Sequence, residues 1–146
     1  MNIVSNVKYC KNTFLTYSEP ATLGFEEEIV SLRINRDSRI IFSVPIKELQ
    51  GYHVDLSRIF FFTDRKKYVV EFAEEARNQI VWAKRWPGAV RRGKKILRES
   101  DLSQWVEILT DHNVSKKLDI RKIVIVSIVT FIVVVGFITW LQVLRA

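Results

Sequence analysis

The apolar residues of this chain follow three patterns, and each pattern predicts a different kind of element. Between residues 29 and 72, apolar and polar side chains alternate, which is typical of strands with one buried face. Between residues 73 and 109, apolar residues recur at helical spacing. From residue 123 to residue 141 no side chain is charged. The sequence therefore predicts a β-rich part, a helical part and a membrane segment, in that order.

The β-rich part is predicted to contain two clear hairpins. Their turns are the polar segments 35–38 and 64–66, and Pro45 indicates a strand that ends there or lies at a sheet edge. A loop is expected around 19–24, because Glu-Pro and Gly interrupt the pattern there. The predicted strands lie at residues 4–9, 13–17, 29–34, 39–46, 58–63 and 67–72.

Two helices are predicted after the strands. The first covers 73–86 and ends before Pro87, since proline disfavours helical geometry in the residue that precedes it. The second follows Ser100, which is the expected N-cap, and its spacing places Trp105 in the core. This order of elements predicts an α+β domain in which a meander of antiparallel strands is closed by helices.

Three stretches resemble the pleckstrin-homology and GRAM domain superfamily: SLRINRDSRIIFSVPIKEL, RIFFFTDRKKYVVEF and DLSQWVEIL. The resemblance covers about residues 13–110. It implies an antiparallel β-sandwich or partly open barrel with a C-terminal helix. It also implies a module that binds lipid headgroups or proteins and is rarely catalytic. The helical stretch 73–86 and the basic segment after it, which is expected to form a loop, are not parts of that plan.

The uncharged run near the end of the sequence predicts one transmembrane helix over 123–144, followed by a short tail, 145–146. At about 1.5 Å per residue the run 123–141 would be roughly 28 Å long, close to the thickness of the bilayer hydrocarbon. A basic juxtamembrane linker, 116–122, precedes it and contains Lys116, Lys117, Arg121 and Lys122. By the positive-inside tendency, residues 1–115 are expected to form a cytoplasmic domain, with the C-terminus on the opposite face. Because no apolar segment near Met1 resembles a signal peptide, a tail-anchored, single-pass protein is expected.

The formal net charge is +7, and the densest cluster of basic residues lies around the predicted helix boundary at residue 87. Such a segment is typical of contact with anionic lipid or an acidic protein partner, and less so of nucleic acid. The alternative is a solvated loop that helps to fix membrane topology. The expected lipid-binding or partner-binding residues are Lys84, Arg85, Arg91, Arg92, Lys94, Lys95 and Arg98.

Residues that could carry chemistry are few. Cys10 is the single cysteine and could in principle pair with a histidine as a nucleophile, but no neighbouring residues support this. His53 and Asp55 share one face of a strand without a third metal ligand, and His112 suits a helix C-terminus. We therefore expect no enzyme, no metal, no cofactor and no small-molecule substrate.

The sequence thus favours a membrane-anchored binding or scaffolding protein that contacts anionic lipid or a protein partner at the membrane surface. An accessory subunit of a larger integral membrane complex is the alternative. It depends on a stripe of small residues through which another helix could approach the membrane segment. That stripe consists of Ser127, Thr130, Gly136 and Thr139.

Overall fold

The structure, a computed structural model, describes residues 2–11, 18–82 and 86–117, together with Thr130. These residues form seven strands followed by three helices, which confirms the predicted α+β class. The strands are β1 (Ile3–Cys10), β2 (Ser18–Glu26), β3 (Ile29–Ile34), β4 (Ile40–Pro45), β5 (Gly51–Asp55), β6 (Arg58–Phe62) and β7 (Lys67–Glu71). The helices are α1 (Glu74–Trp82), α2 (Pro87–Glu99) and α3 (Leu102–Asp111), and a short 3-10 turn at Ile46–Glu48 connects β4 to β5.

The strands form one open antiparallel sheet in the order β4-β3-β2-β1-β7-β6-β5. Pairing of β1 with β7 joins the first four strands to the last three, so the hydrogen bonding is continuous across the sheet. β4 and β5 are the two edge strands. Pro45 ends β4, as the sequence predicts, because a proline at an edge leaves no ladder hydrogen bond unmade.

The sheet is strongly curved, and an aromatic cluster shows this. The ring of Phe42 on β4 lies 4.6 Å from the ring of Tyr68 on β7 and 5.8 Å from that of Phe61 on β6. In a flat sheet β4 and β7 would be separated by four strand spacings, or about 19 Å. The sheet therefore curls until its inner face encloses a single core.

Helix α3 fills this core. Trp105 is completely buried, its ring lies 6.4 Å from that of Phe61, and its indole N–H donates a 3.0 Å hydrogen bond to Oγ of Ser5 on β1. Leu109 on the same face is also completely buried. The predicted core position of Trp105 is confirmed.

The prediction of a loop around 19–24 is wrong, because Pro20 and Gly24 both lie within β2. β2 pairs with β3 only from Ala21 onward, so Pro20 has a strand neighbour on one side alone, opposite Lys8 of β1. A strand residue without a second neighbour can be proline without losing a ladder hydrogen bond. The strand predicted at 13–17 lies outside the described residues.

The loop expected after the first helix is also wrong, because residues 87–99 form α2. Pro87 begins this helix instead of standing in a loop, since proline suits the first helical position. Ser100 follows α2 and its hydroxyl donates to the Leu97 carbonyl oxygen at 2.7 Å. It is therefore not the N-cap of α3, which begins after Asp101 without a side-chain cap.

Among the described residues, no helix combines the length and the apolar character that crossing a bilayer requires. The predicted membrane helix 123–144 and tail 145–146 lie outside those residues, with the exception of Thr130. Residues 118–122 of the predicted linker lie outside them as well.

Candidate functional site

Helix α2 presents one strongly basic side to solvent. Ala89 and Gly93 are buried on its opposite side, and Leu97 packs against the core there. These positions are each four residues apart, so they form one stripe along the helix. The five basic residues on the other side of α2 are all exposed, and we call them the α2 basic face: Arg91, Arg92, Lys94, Lys95 and Arg98.

Gly93 fixes the orientation of this face, because it allows α1 and α2 to pack unusually closely. A Cβ atom at Gly93 would lie 2.8 Å from Cγ1 of Ile80 and 2.9 Å from the carbonyl oxygen of Ala76. Both distances are shorter than a Cβ atom tolerates, so only glycine fits without moving α1. The close contact buries one side of α2 and directs the basic side outward.

Most of the α2 basic face lacks a counter-charge. Lys95 pairs with Glu99 at 3.8 Å one turn later, and both side chains are largely exposed. Within the described part of the chain, no carboxylate lies in ion-pair distance of Arg91, Arg92, Lys94 or Arg98. Exposed cations without an ion-pair partner among the described residues are available to bind an external anion.

Trp86 lies at the start of α2 and is the most exposed large apolar side chain that the structure describes, at 73% exposure. It stands next to the basic segment that the sequence singled out. Lys84 and Arg85, the other two basic residues predicted for this site, lie outside the described residues. The structure thus places five of the seven predicted residues together on one helix face.

The predicted juxtamembrane residues Lys116 and Lys117 are held against edge strand β5. The amide of Tyr52 donates to the carbonyl oxygen of Ser115 at 2.9 Å, and the amide of Lys117 donates to the carbonyl oxygen of Tyr52 at 2.7 Å. We call 115–117 the exit segment, because the predicted membrane linker continues from it. Arg121 and Lys122 lie outside the described residues.

Gly51 makes room for the exit segment. Its φ angle is +147°, and a Cβ atom there would lie 2.5 Å from the carbonyl oxygen of Ser115 and 3.0 Å from the Lys117 side chain. His53 adds a further contact, since its Nδ1 lies 3.1 Å from the carbonyl oxygen of Lys117. The path of the chain toward the predicted membrane segment is therefore set by β5.

The fold assembles a second basic site that the sequence analysis missed. The turn between β6 and β7 carries Arg65 and Lys66, and Lys67 begins β7, so three basic residues follow one another. Together with Lys117 they line an open cleft of about 480 Å³. The run of basic residues is visible in the sequence, but its proximity to Lys117 depends on the fold.

A buried charge network lies under β7 and was also not predicted. Glu71 is almost fully buried and accepts hydrogen bonds from Arg58 Nε at 2.6 Å, from Arg77 Nε at 3.0 Å and from the Ser57 hydroxyl. Its partners come from β6, from the turn before it and from α1. Losing one member of such a buried set commonly lowers the free energy of unfolding by about 3–5 kcal/mol. Because Arg77 belongs to α1 and Glu71 to β7, we assign the network a structural role, namely attaching α1 to the sheet.

Cys10 and His112, which the sequence analysis considered for chemistry, both have structural surroundings. Cys10 is buried beside Phe60 and Val69, and burial raises the pKa of its thiol, which disfavours a thiolate nucleophile. Nδ1 of His112 lies 2.9 Å from the Ile108 carbonyl oxygen at the end of α3, as expected for a helix C-terminus. The described residues contain no group of three or more side chains able to hold a metal ion.

No protein-family model matches the chain, and no curated protein matches it with significant similarity.

Proposed function

We propose that this chain is a single-pass membrane protein whose cytoplasmic domain contacts anionic lipid through the α2 basic face. In that position it recruits or scaffolds a protein partner at the membrane surface. The uncharged run 123–141 would supply the anchor, and residues 118–122 would connect it to the exit segment.

One observation carries the proposal, namely that α2 exposes five basic side chains on one side while its other side is buried. Each Lys or Arg near an anionic leaflet is worth about 1 kcal/mol, so the whole face could contribute several kcal/mol at low salt. Trp86 supports the same orientation, because an exposed indole suits the headgroup region of a bilayer.

The resemblance to pleckstrin-homology and GRAM domains supports a binding role and belongs to the same proposal. A curved seven-stranded antiparallel sheet with a core helix after the last strand is compatible with that plan. The helices α1 and α2 stand between β7 and α3, where they would be additions to it. The basic face thus lies on the part of the domain that the resemblance does not explain.

The test uses the full chain in lipid nanodiscs with an environment-sensitive fluorophore on a Gly88→Cys variant. Gly88 is suitable because a side chain there would meet nothing within 4 Å. The native Cys10 is buried, so the unchanged chain should take up little label and serves as the labelling control. We expect a blue shift of emission in discs that contain phosphatidylglycerol, no shift in pure phosphatidylcholine, and reversal by high salt.

The decisive variant replaces Arg91, Arg92, Lys94 and Lys95 with alanine, and it should abolish the shift. A control variant removes three exposed basic residues that lie outside α2, namely Arg33, Arg36 and Lys47, and should retain the shift. An equal shift in both variants would reject lipid contact through α2. If the emission did not shift in discs of any lipid composition but shifted when a protein extract was added, a protein partner on this face would be favoured instead.

The anchor and its orientation have a separate test. A protease added outside intact cells should leave residues 1–115 uncut, whereas permeabilised cells should lose them. Digestion in intact cells would reject the cytoplasmic location, and extraction of the chain by alkaline carbonate would reject the anchor.

A further inference from the structure

The open cleft between the β6–β7 turn and the exit segment is lined in large part by basic side chains. Its volume is about 480 Å³, and its charged lining consists of Arg65, Lys66, Lys67 and Lys117 with a single acid, Asp64. Asp64 neutralises little, because its nearest cation is Arg65 at 3.9 Å and both side chains are highly exposed. The cleft therefore carries an excess of positive charge.

The turn that forms one wall is fixed by its own hydrogen bonds. The backbone amide and the hydroxyl of Thr63 both donate to the carbonyl oxygen of Lys66, at 2.9 and 3.0 Å. The amide of Lys66 in turn donates to the Thr63 hydroxyl oxygen at 3.1 Å. These reciprocal bonds fix the backbone of the turn from which Arg65 and Lys66 project.

Aromatic rings on the outer face of β6 restrain two of the ammonium groups. Nζ of Lys117 lies 4.8 Å from the ring centre of Phe62, and Nζ of Lys67 lies 5.4 Å from that of Phe60. At these distances a cation is attracted by the aromatic face. The exit segment carries Lys117 to this position only because Gly51 admits its backbone.

We propose that this cleft binds the phosphate group of an anionic lipid headgroup. The proposal rests on the proposed membrane anchor, which sets the distance. Residues 118–122 can extend at most about 18 Å, so the cleft lies within reach of the headgroup layer above the predicted membrane segment. A phosphate is the ligand that fits, because four Lys and Arg side chains line the cleft and both residue types bind phosphate oxygens well.

The cleft and the α2 basic face are built from different elements, so each can be removed without the other. Arg65, Lys66 and Lys67 are exposed, and none belongs to α2 or to the core. Replacing them with alanine should therefore leave the domain folded and leave α2 docking in place. This separation makes the cleft testable independently of the proposed function.

The experiment places a benzophenone amino acid at Gln50, which lines the cleft, in the full chain held in nanodiscs of phosphatidylcholine and phosphatidylglycerol. We expect illumination to yield phosphatidylglycerol adducts, identified by mass. Their yield should fall at least about tenfold when residues 65–67 become alanine. Replacing Lys66 and Lys67 with arginine should retain the adducts, and benzophenone at exposed Arg36 should give few.

A second arm distinguishes a lipid phosphate from a free one. Inorganic pyrophosphate is added to the chain in pure phosphatidylcholine discs, and amide exchange of residues 63–67 is measured. Protection by pyrophosphate without phosphatidylglycerol adducts would overturn the lipid assignment. A Gly51→Ala variant moves Lys117 without changing any charge and should lower the adduct yield.

The outcomes separate the cleft from the α2 face. If the Gly88 reporter still shifts but adducts at Gln50 do not depend on residues 65–67, the cleft proposal is wrong and the proposed function stands. If adducts depend on residues 65–67 while the reporter shows no shift, the cleft stands and lipid contact through α2 is wrong.

Discussion

The indole N–H of Trp105 and the hydroxyl of Ser5 form a 3.0 Å hydrogen bond between the last helix and the first strand. Both residues are essentially inaccessible to solvent. The bond therefore connects the two ends of the domain inside its core. Because neither group can form a hydrogen bond with water, each depends on the other as its partner.

The first prediction concerns this pair. Ser5→Ala should lower the free energy of unfolding by about 1–3 kcal/mol, because the indole N–H is left buried without an acceptor. The measurement is urea unfolding of the full chain in mild detergent, followed by circular dichroism. Ser103→Ala on the exposed side of α3 is the matched control and should change stability little. An equal loss in both variants would mean that the buried hydrogen bond contributes nothing specific.

The second prediction concerns the contact between α1 and α2. Gly93→Ala should destabilise the domain by about 1–3 kcal/mol despite the better helix propensity of alanine, because the new methyl group overlaps Ile80 and the Ala76 carbonyl oxygen. Gly88→Ala on the same helix meets nothing within 4 Å and should be neutral or stabilising. The comparison of the two unfolding curves is the measurement. If Gly93→Ala were also neutral, the close approach of the helices would not be required.

Much of the fold follows from the sequence where local pattern and local geometry agree. The hairpins β3–β4 and β6–β7 are predicted because apolar alternation is interrupted by short polar turns. Trp105 is predicted to lie in the core because the helical spacing of the apolar residues in α3 places it on their shared face. In these elements the chain's nearest neighbours in sequence are also its neighbours in space.

The predictions from sequence are wrong where tertiary contacts override the local structure that a residue usually indicates. Pro20 predicts a loop when only the local sequence is considered, but β3 does not extend far enough to pair with it. Pro87 predicts the end of a helix, but in the structure it begins α2. Glycine is a poor helix former, yet α2 needs Gly93 because a larger residue would overlap α1. The basic cleft could not be predicted because Lys117 reaches the β6–β7 turn only through its pairing with Tyr52.

The third prediction concerns the two-residue turn between β2 and β3. Glu27 and Glu28 both have positive φ angles, 49° and 64°, a conformation that favours Asn and Gly in this kind of hairpin. The double change Glu27→Asn and Glu28→Gly should stabilise the domain by about 1 kcal/mol or more, since left-handed geometry costs other residues about 1–2 kcal/mol each. Thermal unfolding by circular dichroism measures the gain.

The control for the turn is Glu28→Gln, which removes the charge that pairs with Lys47 but keeps a side chain in the strained geometry. It should give no gain. A gain of the same size in this control would assign the effect to the charge rather than to the backbone.

The fourth prediction is a pH dependence at the contact between β1 and α1. A hydrogen bond from Lys8 holds the pKa of the Glu74 carboxyl below its ordinary value of 4.5. Because the pKa is lower in the folded state, the stabilisation is fully present above pH 4.5 and is lost as the pH falls through the folded-state pKa. Both side chains are partly exposed, so we expect Lys8→Met to cost less than about 1 kcal/mol near neutral pH.

The difference between the unchanged chain and Lys8→Met should therefore shrink as the pH is lowered below the ordinary range of a glutamate. Urea unfolding of both chains at a series of pH values gives that difference directly. Arg36→Met is the control, because Arg36 is exposed and has no ion-pair partner among the described residues. Its effect should be small and independent of pH. If the Lys8→Met difference stayed constant down to low pH, Lys8 would stabilise the domain by packing its aliphatic stem and not by pairing with ionised Glu74.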